Sequence, residues 1–216
     1  SAQAITAKHV IMACYNMMIP HIVSGLPESQ AQALGQQLKS PLIYTTVGLR
    51  NWRALKAEGI GFAMCPGNSH QAVFMDFPVS LGNYRYTRSA DSPCILQMIS
   101  CPYSEVPGKP RDEQYREARQ QMLARQFSDY EDDIRSHLSG MLPSEHFQFD
   151  RDVASITVNR WAHGYTVAGP AGTAEIGRQP FGRITSANAD SAPAADALEA
   201  MMMGHRAVGE LNEAYI

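Results

Sequence analysis

Val10-Ile11-Met12-Ala13 is a short unbroken apolar run, followed by Asn16, Pro20 and His21. An apolar run of that length predicts a buried strand. The stretch from Pro27 to Lys39 starts on a proline and an acid with Ala and Leu behind them, which predicts a helix. Leu42 to Leu49 is rich in β-branched and aromatic residues and predicts a strand. "QAVFMDFP" and "PCILQMISCPY" predict two more strands, and the turn-rich "SLGNYRYTRSADSP" between them predicts antiparallel pairing. From Arg111 to Leu142 the pattern becomes helical, with Tyr115, Met122, Phe127, Ile134 and Leu138 spaced among charged residues. A second helix begins within that stretch, with Ser128 as its N-cap and acids in its first turn, and His137 reads as a surface or capping residue on it. "ASITVNRWAHGY" predicts a further strand ending in an aromatic and imidazole cluster. Near the end, Ile184 to Ala187 predicts a short strand, residues 188–192 a turn of small side chains, and Pro193 the first position of a helix running to Leu211. These elements sum to an α+β fold, with a mixed or antiparallel sheet accompanied by helices.

Composition narrows the class. The 216 residues are 44% hydrophobic with a net charge of -3, and Lys and Arg are dispersed among acids rather than gathered in a stripe, which excludes nucleic-acid binding. No apolar run approaches the roughly 20 residues of a membrane span. The start, Ser1-Ala2-Gln3-Ala4-Ile5, lacks a basic region followed by an apolar one and does not read as a signal peptide. An internal-looking strand within ten residues of Ser1 suggests a chain already under way. Cys14, Cys65, Cys94 and Cys101 show neither C-x-x-C pairing nor metal spacing with the histidines, so they read as unpaired thiols.

Candidate chemistry gathers at the two ends of the second half. A helix N-terminus after Asn188-Ala189-Asp190 offers unpaired N–H groups and a partial positive charge to an anion or a polar cofactor chain; the alternative is that small residues merely allow tight strand-to-helix packing. Trp161 and Tyr165, four apart on the strand, suit an aromatic wall, with His163 between them as a base or orienting group; a core Trp beside a hydrogen-bonded His is the plainer reading. Asp76 is an acid in an apolar strand that either meets a distant ammonium or pairs with Arg85 or Arg53. The Met201-Met202-Met203 run reads as core filling on a helix.

Taken in order, "ACYNMMIP", "PLIYTTVGLRNW", "VFMDFPVSLGNYRYTR", "ITVNRWAHGY" and "PFGRITSANADS", with "GHRAV" on the last helix, resemble the C-terminal part of the flavin-dependent amine oxidoreductases, and within them the bacterial spermidine dehydrogenases. The resemblance implies that residues 1–38 belong to an FAD-binding domain, 39–165 to a substrate-binding domain, and 166–216 to a return to the FAD domain with Rossmann-like elements. It implies hydride transfer from an amine α-carbon to flavin, with Trp161, His163 and Tyr165 catalytic, Tyr44 and Asp76 on the substrate, and Asn188, Ala189, Asp190, Ala195 and Asp196 on the cofactor. Relatives of this kind resemble proteins that carry haem as well as FAD, for which His21, His70 and Met64 are eligible ligands.

Three departures from the family pattern stand out. The glutamate that contacts the ribityl chain falls at Ala189, leaving Asn188 or Asp190 to substitute. The lysine placed near flavin N5 falls at 41–43, where none stands, with Lys39 the nearest. The Gly-x-Gly-x-x-Gly turn is absent, since "GIGFAMCPG" has the wrong spacing, so the dinucleotide cradle is expected in an N-terminal half that this chain lacks. Two other readings stay open: a non-catalytic binding or assembly module, and a desaturase-type flavoenzyme acting on another substrate.

Overall fold

The computed structural model describes residues 3–104, 106–192 and 194–213. In chain order the strands are β1 (Val10–Met12), β2 (Lys39–Leu49), β3 (Phe62–Met64), β4 (Ala72–Met75), β5 (Cys94–Ser100), β6 (Val153–Thr166) and β7 (Ile184–Ser186). The helices are α1 (Ile19–Ile22), α2 (Glu28–Gly35), α3 (Arg53–Ala57), α4 (Arg111–Ala124), α5 (Phe127–Met141), α6 (Phe149–Asp152), α7 (Thr173–Gly177) and α8 (Ala197–Glu213). The fold is α+β and divides into two compact units, one formed by Ser1–Ser40 with Tyr165–Ile216, the other by Pro41–Gly164. No helix among the described residues is long and apolar enough to cross a membrane.

The Pro41–Gly164 unit is built on a five-stranded sheet ordered β3-β4-β5-β2-β6. β4 and β5 pair antiparallel, as the turn-rich connection predicts, and β5 pairs antiparallel with β2. Register decides which side chains meet: Val47 faces Leu96, Thr45 faces Met98, and Val73 faces Met98 from the other side. These residues lie on one face and are fully or almost fully buried. The stripe Tyr130, Ile134 and Leu138, four apart on α5, joins them in one core. Full burial of such side chains contributes roughly 1.5–3 kcal/mol each. The opposite face carries Tyr44, Thr46, Gly48, Ile95, Gln97 and Asp76, because side chains alternate along a strand.

The other unit holds a parallel pair, β1 with β7, in register Val10↔Ile184 to Met12↔Ser186. β1 is a strand as predicted but not a buried one, since Val10 and Ile11 are 43% and 41% exposed. The helix predicted from Pro27 to Lys39 ends at Gly35, and Lys39 already belongs to β2. The N-cap of α5 is Gln126 rather than Ser128; its side chain and that of Asp129 form a reciprocal capping box. Pro193 lies outside the described residues, and α8 starts at Ala197, where the Glu199 N–H donates to the Asp196 carboxylate. Of the methionine run only Met203 is buried; Met201 and Met202 are exposed. All four cysteines are unpaired.

His137 is the clearest correction. It is buried, not on the surface, with its ring 6.3 Å from that of His70. Neither of its ring nitrogens has a hydrogen-bond partner among the described residues. His70 is buried too and bonds to Thr45 Oγ1 at 3.0 Å and Ser69 Oγ at 3.2 Å. Burial, then the neighbouring His137, lowers the His70 pKa to about 4, with Asp133 opposing and Arg125 adding slightly; burial also lowers that of His137. An unfolded histidine takes its proton near pH 6.5, before the folded one does, so stability falls as pH drops from about 6.5 to about 4. For His70 the loss amounts to roughly 3 kcal/mol. Urea unfolding midpoints at pH 7 and pH 4.5 are expected to differ accordingly, and the difference should shrink in His70→Asn; an unchanged pH slope in that variant would refute the assignment.

Candidate active site

Parallel strands end at the same edge, so the segments following β1 and β7 meet there. Ala187 N–H donates to the Met12 carbonyl at 2.9 Å, and beyond it the chain enters a 3-10 turn, Ala189–Ser191. Asn188 anchors this turn: its amide donates to the Cys14 carbonyl at 2.5 Å and to Asn16 Oδ1 at 2.7 Å, while its oxygen accepts from Ser191 N–H at 2.9 Å. Asn16 is fully buried and donates its backbone N–H to Asp190 Oδ2 at 3.0 Å and its side-chain amide to Gln37 Oε1 at 2.8 Å. Asp190 also receives Lys39 Nζ at 2.5 Å and the Thr166 hydroxyl. Both side chains of the ion pair are buried, at 7% and 2% exposure. Lys39 Nζ lies 4.7 Å from the centre of the Tyr15 ring, where a cation is attracted to the aromatic face.

Sequence reasoning named Asn188, Ala189 and Asp190 but missed Asn16, Gln37 and Thr166, and it placed Lys39 beside the site rather than in it. A signal was present in Asn16, a polar residue set inside the apolar stretch "ACYNMMIP". Asp190 and Gln37, with Thr166 and the Val167–Thr173 segment, line a cavity of about 180 Å³. Gln37 Nε2 is buried with no partner among the described residues, so the network keeps a spare donor. Ala195 is half-buried ahead of α8, and Asp196 is exposed and engaged with the first turn of that helix. On α8, Arg206 donates to the Ser186 and Arg178 carbonyls and to Glu210, tying the helix to β7.

In the Pro41–Gly164 unit the structure brings Tyr44 and Trp161 together. Their rings stack with centroids 6.4 Å apart and planes 22° from parallel, and Trp161 is 53% exposed. Asn159 Nδ2 donates to the Tyr44 carbonyl at 3.3 Å, holding β6 against β2 at this point. Trp161 and His163 occupy alternate positions of β6 and so share a face, with His163 half-buried; Tyr165, 41% exposed, belongs to the other unit. Asp76 pairs with neither arginine suggested for it. Arg53 is bound to Asp91 and Arg85 to backbone carbonyls, while Asp76 Oδ1 accepts from Gln97 Nε2 at 3.4 Å, and Gln97 in turn accepts from Thr46 at 3.0 Å. Asp76 thus stands on the open face of the sheet, on the side that carries Tyr44. Of the residues eligible to bind haem, His70 is committed to Thr45 and Ser69, and His21 and Met64 are exposed. Nothing in this geometry supports a haem.

No family profile and no curated protein matches this chain. Solved structures do. Putrescine oxidase in its wild-type form bound to putrescine superposes with a TM-score of 0.66 at 16% identity, over 96% of this chain and 43% of that one. Cyclohexylamine oxidase from Brevibacterium oxydans IH-35A superposes with a TM-score of 0.69 at 12% identity, over 100% of this chain and 45% of that one. Over its own length the chain shares the fold of these structures. It spans less than half the length of these oxidases.

Removing one partner of the Lys39–Asp190 pair leaves the other charge buried and uncompensated. Asp190→Asn and Lys39→Met are each expected to cost about 3–5 kcal/mol. Their combination should cost clearly less than the sum, because it buries no orphan charge. A urea denaturation cycle over the four proteins checks this; additive losses would mean that the two residues do not act as a pair.

Proposed function

We propose that this chain supplies the substrate-binding sheet and the closing strand-turn-helix of an FAD-dependent amine oxidoreductase acting on a small aliphatic amine, with a spermidine-like polyamine as the preferred class. The observation that carries the reading is the fold shared, over nearly the whole chain, with two oxidases whose names specify amines.

The residues at the ends of β1 and β7 fit a flavin. The spare Gln37 donor, the Asn188 and Asp190 turn and the adjoining cavity suit an oxygen-rich chain such as a ribityl group. Asn188, Ala189, Asp190, Ala195 and Asp196 would hold that side of the cofactor. Lys39 and Asp190 neutralise each other, so the site keeps its polar groups fixed without a net charge. The pyrophosphate contacts would come from an N-terminal half of the FAD domain, because this chain has no Gly-x-Gly-x-x-Gly turn. Bound flavin supplies the acceptor for the hydride leaving the amine α-carbon.

The chain's own task is to orient the amine and keep water away. Tyr44 and Trp161 present a stacked aromatic surface that attracts an ammonium by roughly 1–2 kcal/mol once desolvated. His163, on the same face of β6 as Trp161, would orient the amine or take its proton, and Tyr165 would be the further aromatic contact. Asp76, held by Gln97, suits the distant ammonium of a polyamine.

The test is amine-dependent bleaching of the flavin in the FAD-loaded protein containing this chain, with a dye as electron acceptor and spermidine, putrescine and cyclohexylamine as candidate substrates. Bleaching by an amine is expected, and Trp161→Ala should raise KM for it about 5- to 30-fold. Asp76→Asn should weaken spermidine more than cyclohexylamine, which has no second ammonium. Flavin binding with no response to any amine would reject amine oxidation and favour the desaturase-type reading; no flavin binding would favour a non-catalytic module.

A further inference from the structure

The open face of the sheet carries a second cavity, about 240 Å³, at the end away from Tyr44. Its floor is the register pairs Gly48↔Ile95 and Leu49↔Cys94, where β2 ends and β5 begins. Gly48 is four residues along β2 from Tyr44, a separation of roughly 13 Å. The roof is the segment Tyr84–Thr87, and none of the residues that line this cavity is among those proposed to handle the amine or the flavin.

This roof is organised by its own hydrogen bonds. Tyr84 N–H donates to the Leu81 carbonyl at 3.0 Å across a turn in which Gly82 has a φ of 58°, and Tyr86 N–H donates to Ser80 Oγ at 3.2 Å. Thr87 is pinned by the Trp52 indole N–H at 3.1 Å, and the Trp52 backbone N–H donates to the Ala90 carbonyl at 2.9 Å. A segment tied at both ends pays little entropy on receiving a ligand.

Arg85 is the one charged residue among those that line this cavity, and Asp76, whose N–H donates to the Ile95 carbonyl at 3.0 Å, is held by Gln97. Arg85 Nη1 donates to the Gly82 and Tyr84 carbonyls at 2.7 and 3.0 Å. Its guanidinium has no carboxylate partner among the described residues, and its Nε and Nη2 make no hydrogen bond there. A planar guanidinium with two idle nitrogens, beside Tyr84 and Tyr86 and the apolar Ile95, matches an anionic group attached to an aromatic body. A cationic amine would be repelled by the same group. The Cys94 side chain faces the core on the other side of the sheet, and burial pushes its pKa up to about 11, so the cavity offers no nucleophile.

We propose that the cavity between Tyr84–Thr87 and the Gly48–Ile95 end of the sheet binds a small aromatic carboxylate through the Arg85 guanidinium. Such a ligand carries a charge opposite to that of an amine, so the cavity selects a different ligand class from the Tyr44–Trp161 surface.

The experiment is a fluorine NMR titration of the full chain with 4-fluorobenzoate and, as the uncharged control, 4-fluorobenzyl alcohol. Saturable binding of the benzoate is expected, at least tenfold tighter than that of the alcohol. Arg85→Gln should remove the preference while leaving the weak binding of the alcohol in place. Ala154→Leu, which adds a side chain at an exposed lining position, should abolish binding of both. Circular dichroism checks that each variant is folded, and if Ala154→Leu does not fold, Arg85→Gln alone decides. Absence of saturable benzoate binding, or benzoate binding that survives Arg85→Gln unchanged, would overturn the proposal.

Discussion

The unit that joins the two ends of the chain depends on one buried ion pair. Lys39 and Asp190 are 151 positions apart in sequence, and the carboxylate they share with Asn16 and Thr166 draws four separate segments to one point. A buried pair adds little net stability, because desolvation offsets most of the Coulombic gain. Its value here is geometric. Any packing that moved one of these segments away would leave a charge or a backbone N–H buried without a partner, and the costs of those orphans exclude the alternatives one by one. The strands beside it are only three residues long, too short to set their own register, so the polar network supplies the specificity that the β1–β7 ladder lacks.

The sheet unit is organised differently. Its helix-covered face is held by apolar burial along β2, β4 and β5 under α5, with Thr45, Ser100, His70 and His137 among the buried polar residues there. With one face committed to the core, the alternating positions of the other carry aromatic and polar side chains. Tyr44 with Trp161, the Thr46–Gln97–Asp76 chain and the Arg85 cavity follow each other across that face.

Local signals in the sequence determined much of this protein. The β-branched and aromatic run of β2, the turn residues between β4 and β5, and the charged helices from Arg111 onward specify their elements through neighbours in the chain, so periodicity and turn chemistry sufficed for them. The turn at 188–192 and the β6 aromatic residues were equally readable, because small residues before a helix and alternate aromatic residues on a strand are local patterns. The tertiary structure alone decided the parallel partnership of β1 with β7, the burial of His137 against His70, the pairing of Tyr44 with Trp161, and the attachment of Lys39 to Asp190 and of Asp76 to Gln97. Each of those joins residues that are distant in sequence, and nothing near His137 or Lys39 reports what packs against them. A side chain's periodicity states which face it occupies; only the folded chain brings the group that faces it.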